Sequence, residues 1–177
     1  VPASTWLRPL YERIATVPLL DTVQGPHDQG GIILGGVRVA LKLCFEDLFP
    51  DLFRDEVAAG RFIVVLANDS WDGSDAPMHQ HLQISQTRAA EAAKPLVRVA
   101  NTGWSALIGP DGRRVAVAPP DQPAMLEVFV QPREGITPYT RHGDAIPVGL
   151  AALAVVIALA SAGQARPGEF AHSEIAA

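Results

Sequence analysis

The apolar positions of this chain follow two regimes. Up to about residue 143 they come in short clusters separated by polar, Gly and Pro punctuation, whereas 146–163 (IPVGLAALAVVIALASAG) is one uninterrupted, uncharged run. As a helix that run rises about 27 Å, at the short end of what a hydrocarbon core near 30 Å requires. It is apolar on every face and is followed by a polar tail, 164–177, so it is predicted as a transmembrane helix; the alternative is a buried helix of a soluble domain. Arg133 and Arg141 precede it and Arg166 follows it, a distribution that sets no orientation.

The preceding part alternates between strand and helix patterns. Residues 32–45 (IILGGVRVALKLCF) carry β-branched alternation around Gly35-Gly36 and predict one or two strands. Leu52, Phe53 and Val57, with Gly60 as a stop signal, predict a short helix over 49–60. The continuous run 61–67 (RFIVVLA) reads as a strand buried on both faces. A helix is predicted over 79–94, stopped by Pro95, then a strand over 96–100 and a hairpin of 105–108 with 115–118 around Pro110-Asp111-Gly112. One more strand is expected over 124–130. At the start of the chain Trp6, Leu7, Leu10, Tyr11 and Ile14 have helical spacing, interrupted by Pro9 and Pro18, which predicts a short helix at a membrane interface or against its own domain. The order of elements describes an α/β fold, a sheet covered by helices on one face and requiring a second sheet on the other.

Composition narrows the function. The chain has 177 residues, 48% hydrophobic and 19% charged, as expected for one compact domain rather than a disordered or fibrous segment. A net charge of −5 without a Lys/Arg cluster offers no footprint for a phosphate backbone, so nucleic acid is set aside as a partner. A single cysteine, Cys44, forms no internal disulfide and no Cys-rich zinc site. His79 and His81 point about 200° apart on a helix, so no shared metal is expected. The first residue is Val1 rather than methionine and nothing near it resembles a signal peptide, so a processed chain or a fragment is expected.

Candidate chemistry begins with Cys44, which closes an apolar strand and has Glu46 two residues on and Lys42 two residues before it. A thiol becomes a nucleophile when a base takes its proton and a cation stabilises the charge that develops. A lone cysteine in apolar surroundings is more often a small buried hydrophobe. The odds change with position: Asn68-Asp69-Ser70-Trp71 follows the next strand, Arg88 and Glu91 lie in the next helix, and Asn101-Thr102-Gly103 follows the strand after that. On residues alone Arg88 and Glu91 are a helix-face pair or a pocket element, and Trp71 and Trp104 line a lipid pocket or belong to the core.

This ordered set resembles the carboxyl-terminal half of the nitrilase superfamily and, within it, the apolipoprotein N-acyltransferase family, over residues 1–163. The resemblance rests on Cys44-Phe45-Glu46 with Phe49-Pro50, on Asn68-Asp69-Ser70-Trp71, on the helix from His79-Gln80-His81 through Arg88 and Glu91, on Asn101-Thr102-Gly103 and on Thr137-Pro138-Tyr139. It implies a nitrilase-like α-β-β-α sandwich, present in part over residues 1–143, followed by the transmembrane helix 146–163 and the tail 164–177. It places the domain on the outer side of the bacterial cytoplasmic membrane. The implied enzyme moves a fatty acyl chain from a phospholipid, through a cysteine thioester, to the amine of a diacylglyceryl-cysteine at a lipoprotein N-terminus, without a cofactor. Cys44 matches the nucleophile and Glu46 the acidic residue beyond it; Phe45 stands where the family commonly has tyrosine and keeps the backbone N–H as an oxyanion donor. Asn68, Trp71, Arg88 and Glu91 match pocket-supporting positions, and His142 stands where tryptophan is expected. The family's catalytic glutamate and lysine precede the stretch resembling Val1-Pro2, and Lys42 does not replace that lysine, because it lies on the nucleophile's own strand. The alternatives are a soluble nitrilase-type amidase and a catalytically inactive membrane-attached fragment.

Overall fold

A computed structural model describes residues 30–52, 54–70, 75–120 and 122–164, arranged as two units that divide after Arg141. The expected helix in the first twenty residues, Trp71 and the tail lie outside the described residues.

In the first unit six strands form one sheet in chain order: β1 (Ile32–Leu34), β2 (Val37–Leu43), β3 (Phe62–Ala67), β4 (Leu96–Ala100), β5 (Ser105–Ile108) and β6 (Arg114–Ala118). β1 and β2 form an antiparallel hairpin whose two-residue turn has Gly35 and Gly36 at φ +55° and +82°, the positive torsions such turns demand. β2, β3 and β4 run parallel, and β4, β5 and β6 antiparallel. The crossover from β2 to β3 contains two 3₁₀ turns, Cys44–Leu48 and Pro50–Leu52, and the helix α1 (Arg54–Ala59); the predicted 49–60 helix is thus divided in two. The crossover from β3 to β4 is the helix α2 (Asp75–Ala92). It ends where Ala93 takes φ +50° and the Lys94 N–H bonds back to the Ala89 carbonyl, one residue before Pro95.

Both helices bury their apolar faces on the same side of the sheet. Val57 of α1 and Leu82, Ala89 and Ala92 of α2 pack with Ala40, Ile63, Val65, Leu96, Ala106 and Ile108 in one cluster. Because strand side chains alternate, Lys42, Val65 and Arg98, paired across β2, β3 and β4, also face the helices. The next row, Leu43, Leu66 and Val99, faces the other way and stays 53%, 41% and 48% exposed. The expectation that 61–67 is buried on both faces is therefore corrected: among the described residues only the helix side is covered, and no second sheet forms.

The strand expected over 124–130 is absent. Pro119, Pro120 and Pro123 lack the N–H donors with which the chain would pair back onto β6, and the run beyond them pairs with no strand, with Met125 and Phe129 96% and 90% exposed. It acts as a strap, tied by the Arg133 N–H to the Arg61 carbonyl (2.8 Å), by an ion pair of Arg61 with Glu134, and by Thr137 Oγ1 donating to the Glu91 carbonyl. A short helix α3 (Pro138–His142) follows.

The second unit contains the helix α4 (Ala145–Gln164). Its side chains from 145 to 161 are exposed on every face and carry no charge. Among the described residues no helix is long and apolar enough to cross a membrane. The expected transmembrane helix over 146–163 is corrected accordingly: the run forms the uncharged helix α4, which is not shown as a membrane span.

Candidate active site

Parallel strands deliver their carboxyl ends to one edge of a sheet, where α/β proteins place their sites. Here β2 ends in Cys44, β3 in Asn68-Asp69 and β4 in Asn101-Thr102-Gly103. Cys44 is half-buried and has φ +48°, a left-handed conformation that costs a non-glycine residue about 1–3 kcal/mol and that turns its side chain out of the strand's alternation. The Sγ–H faces the Asn68 carbonyl at 3.8 Å. Glu46 closes the turn from below: its Oε2 accepts the Leu43 N–H at 2.8 Å. Asn68 stabilises its own loop, Oδ1 accepting the Ser70 N–H at 3.2 Å. Asn101 and Thr102 continue the pairing of β3 with β4, through Asn101 N–H to the Ala67 carbonyl and Asp69 N–H to the Thr102 carbonyl. Gly103, at φ +105°, leaves room for the Asp69 carboxylate, with which any Cβ there would collide.

Beneath this edge lies a buried charged network. His81 of α2 reaches Asp69 Oδ1 with Nδ1 (2.7 Å) and Asp47 Oδ1 with Nε2 (2.9 Å). Arg98 of β4 donates from Nη2 to Asp69 Oδ2 (2.7 Å), from Nη1 to Ser85 Oγ (3.1 Å) and from Nε to the Trp104 carbonyl (3.2 Å). Ser85 Oγ in turn donates to Asp47 Oδ2 (2.7 Å). Two carboxylates thus face an imidazole and a guanidinium, all buried. Burial alone pulls His81 down, but the two carboxylates it bonds raise it to about 9, so both ring nitrogens carry protons at neutral pH. Burial pushes Asp69 up, and His81 and Arg98 together hold it below its ordinary value. The Phe45 ring stacks on the imidazole at 5.5 Å and 11°.

The other sequence-selected residues lie apart from the thiol. Lys42 Nζ pairs with Glu56 at 2.9 Å and donates to the Leu52 carbonyl, anchoring α1 to β2. Arg88 and Glu91 pair at 2.6 Å on α2 and line a small cleft with Pro50, Arg54, Tyr139 and Thr140. His79 packs its ring on Trp104, while His81 turns inward. Sequence reasoning missed Asp47, Ser85 and Arg98 and read His81 only as one of a histidine pair. The available signals were an arginine at an inward position of an apolar strand and His81 with Ser85 one helical turn apart on the buried face of α2.

The site thus sets a thiol on a strained turn at the carboxyl edge of an α/β layer, over a charge-balanced support. A family model, carbon-nitrogen hydrolase, matches residues 1–135, and the chain belongs to that family. Proteins named apolipoprotein N-acyltransferase from Chromobacterium violaceum and from Neisseria meningitidis serogroup B are 35% and 37% identical to it over 86% and 84% of its length. One from Pseudomonas aeruginosa is 33% identical over 96%. The chain spans 29% to 33% of the length of these curated relatives.

Proposed function

We propose that this chain carries the nucleophile of an acyltransferase that moves a fatty acyl chain from a phospholipid to the N-terminal amine of a diacylglyceryl lipoprotein at the bacterial cytoplasmic membrane. The observation that carries the reading is the left-handed turn at Cys44, which aims the chain's one cysteine at the sheet edge in a sequence whose relatives bear that enzyme's name. Cys44 Sγ attacks the ester carbonyl, the C–O bond to the glycerol breaks as the C–S bond forms, and the departing oxygen takes a proton. The amine then attacks the thioester, the C–S bond breaks, and the proton lost by the amine returns to sulfur. The Phe45 backbone N–H serves the oxyanion. Glu46 shapes the turn through the Leu43 N–H and the Asn68 carbonyl orients the thiol, while Arg88 and Glu91 serve as a supporting pair on α2. The general base and the cation are the Glu and Lys of the family pattern, outside the described residues. An amidase would use water in place of the amine; the lipid reading is favoured by α4, whose uncharged surface suits contact with acyl chains.

The test is mass spectrometry of the full-length protein incubated with phospholipid. An acyl adduct on the Cys44 peptide is expected, abolished in Cys44→Ala and nearly so in Cys44→Ser, since a hydroxyl ionises far less readily than a thiol. An adduct elsewhere, or undiminished transfer by Cys44→Ala, refutes the assignment.

A further inference from the structure

The buried network has a connectivity that packing alone does not require. Asp47 lies three residues after Cys44 in the same 3₁₀ turn, and Asp69 follows Asn68, whose carbonyl faces the thiol. The imidazole of His81 bonds one carboxylate through each nitrogen. We propose that His81 is a positioning residue, a doubly donating imidazolium strut that fixes the separation of the two turns flanking the Cys44 thiol. The proposal rests on the reading of Cys44 as nucleophile, and its argument is geometric. Neither carboxylate reaches the other's turn directly, and the ring between them is rigid, buried and stacked on Phe45.

The groups facing the ring can be named element by element. The 3₁₀ turn contributes Asp47 and the Phe45 ring, the loop after β3 contributes Asp69, β4 contributes Arg98, and α2 itself contributes Ser85. Arg98 binds Asp69 through its second oxygen and reaches Asp47 through Ser85 and, at 3.8 Å, directly, a longer link between the same turns beside which His81 makes the short bonds of 2.7 and 2.9 Å. If the ring loses one proton, one nitrogen presents a lone pair to a buried carboxylate oxygen at under 3 Å. A buried acceptor facing an acceptor is strongly unfavourable, and water is excluded, so the turn on that side retreats. The elevation of His81 to about 9 locates this event in an accessible pH range.

Alkylation of Cys44 by iodoacetamide, read on its peptide by mass spectrometry from pH 6 to 11 in the full-length protein, tests the strut. Thiolate formation alone makes the rate rise and level off. The strut adds a fall above about pH 9, because the turn that retreats withdraws Sγ from the place at the sheet edge where it is presented. Histidine C2-hydrogen exchange, also read by mass spectrometry, gives the His81 midpoint independently, and the fall should coincide with it. His81→Gln should abolish the pH-linked fall and react about tenfold more slowly than wild type at pH 8. A wild-type rate that climbs or stays level past the His81 midpoint overturns the proposal without any variant, as does a folded His81→Gln protein with the wild-type profile. A persistent fall with no acyl adduct on Cys44 sinks the acyltransferase reading and leaves the strut standing; an adduct without the fall does the reverse.

Discussion

Replacing Arg98 by leucine perturbs the network at its most enclosed member. The guanidinium is 1% exposed and donates three hydrogen bonds, to Asp69, Ser85 and the Trp104 carbonyl, with Asp47 Oδ2 a further 3.8 Å away. Leucine leaves two buried carboxylates facing one imidazolium, an uncompensated charge whose creation typically costs about 3–5 kcal/mol. Against an ordinary domain stability of about 5–15 kcal/mol that is a large fraction. The sign of its pH dependence follows from Asp69. A carboxyl held below its ordinary value stabilises the fold above that value, and the contribution is lost as pH falls through the folded one. Arg98 is one of the groups holding it down, so the deficit of Arg98→Leu should be full near pH 7 and shrink only below the ordinary carboxylate value of 3.8, as at pH 3. Urea unfolding of the full-length protein, read by pulse proteolysis at both pH values, measures it. A deficit under about 1 kcal/mol at pH 7, where even one ordinary hydrogen bond would contribute that much, or one identical at the two pH values, would refute the charge-balance argument.

Other consequences are open to measurement. Since His81 is raised from 6.5 to about 9, its stabilisation is complete below pH 6.5 and fades as pH rises to about 9, a loss of about 3 kcal/mol; urea midpoints that do not fall between pH 6 and 9.5 contradict it. Lys94→Met should cost about 1–3 kcal/mol in thermal or urea unfolding, because the ammonium satisfies the Val57 and Gly60 carbonyls at the end of α1. Gly103→Ala should displace the Asp69 carboxylate, lowering stability and slowing Cys44 alkylation together; an effect on only one of them argues against the shared support. Val156→Asp in α4 should weaken membrane association in flotation assays by about 2.5–3.5 kcal/mol if the helix centre sits in hydrocarbon, and unchanged flotation excludes that placement.

The sheet was largely legible in the sequence because its strands are β-branched runs bounded by glycine and proline, and the Gly35-Gly36 turn has a conformation that few other residues adopt. α2 starts at Asp75, four residues before the expected 79, and Pro77 falls in its first turn, where a missing N–H costs nothing. The strand expected over 124–130 became part of the strap instead, because Met125, Leu126, Val128, Phe129 and Val130 show apolar content but not whether a neighbouring strand is there to pair with. In the site, Cys44 and the Asn68 and Asn101 turns were readable from their places after strands. The network was not, because each of its members looks ordinary alone. Arg98 sits inside LVRVA as an apparent surface charge, and Asp47 follows Glu46 as one more acid. Only the register that turns Arg98 toward α2, and the turn of α2 that sets His81 over the same spot, makes them neighbours.

The open row on the sheet has a consequence for the life of the polypeptide. Leu43, the residue before the cysteine, belongs to the uncovered stripe with Leu66 and Val99, so the greasiest part of the face and the thiol turn share a peptide bond. Such stripes are what chaperones grip and what drives edge-on clumping of unfinished chains. Whatever layer comes to cover this stripe would rest on the residue bonded directly to Cys44, so burial of the open face and the left-handed backbone of the thiol turn are linked through the Leu43–Cys44 peptide.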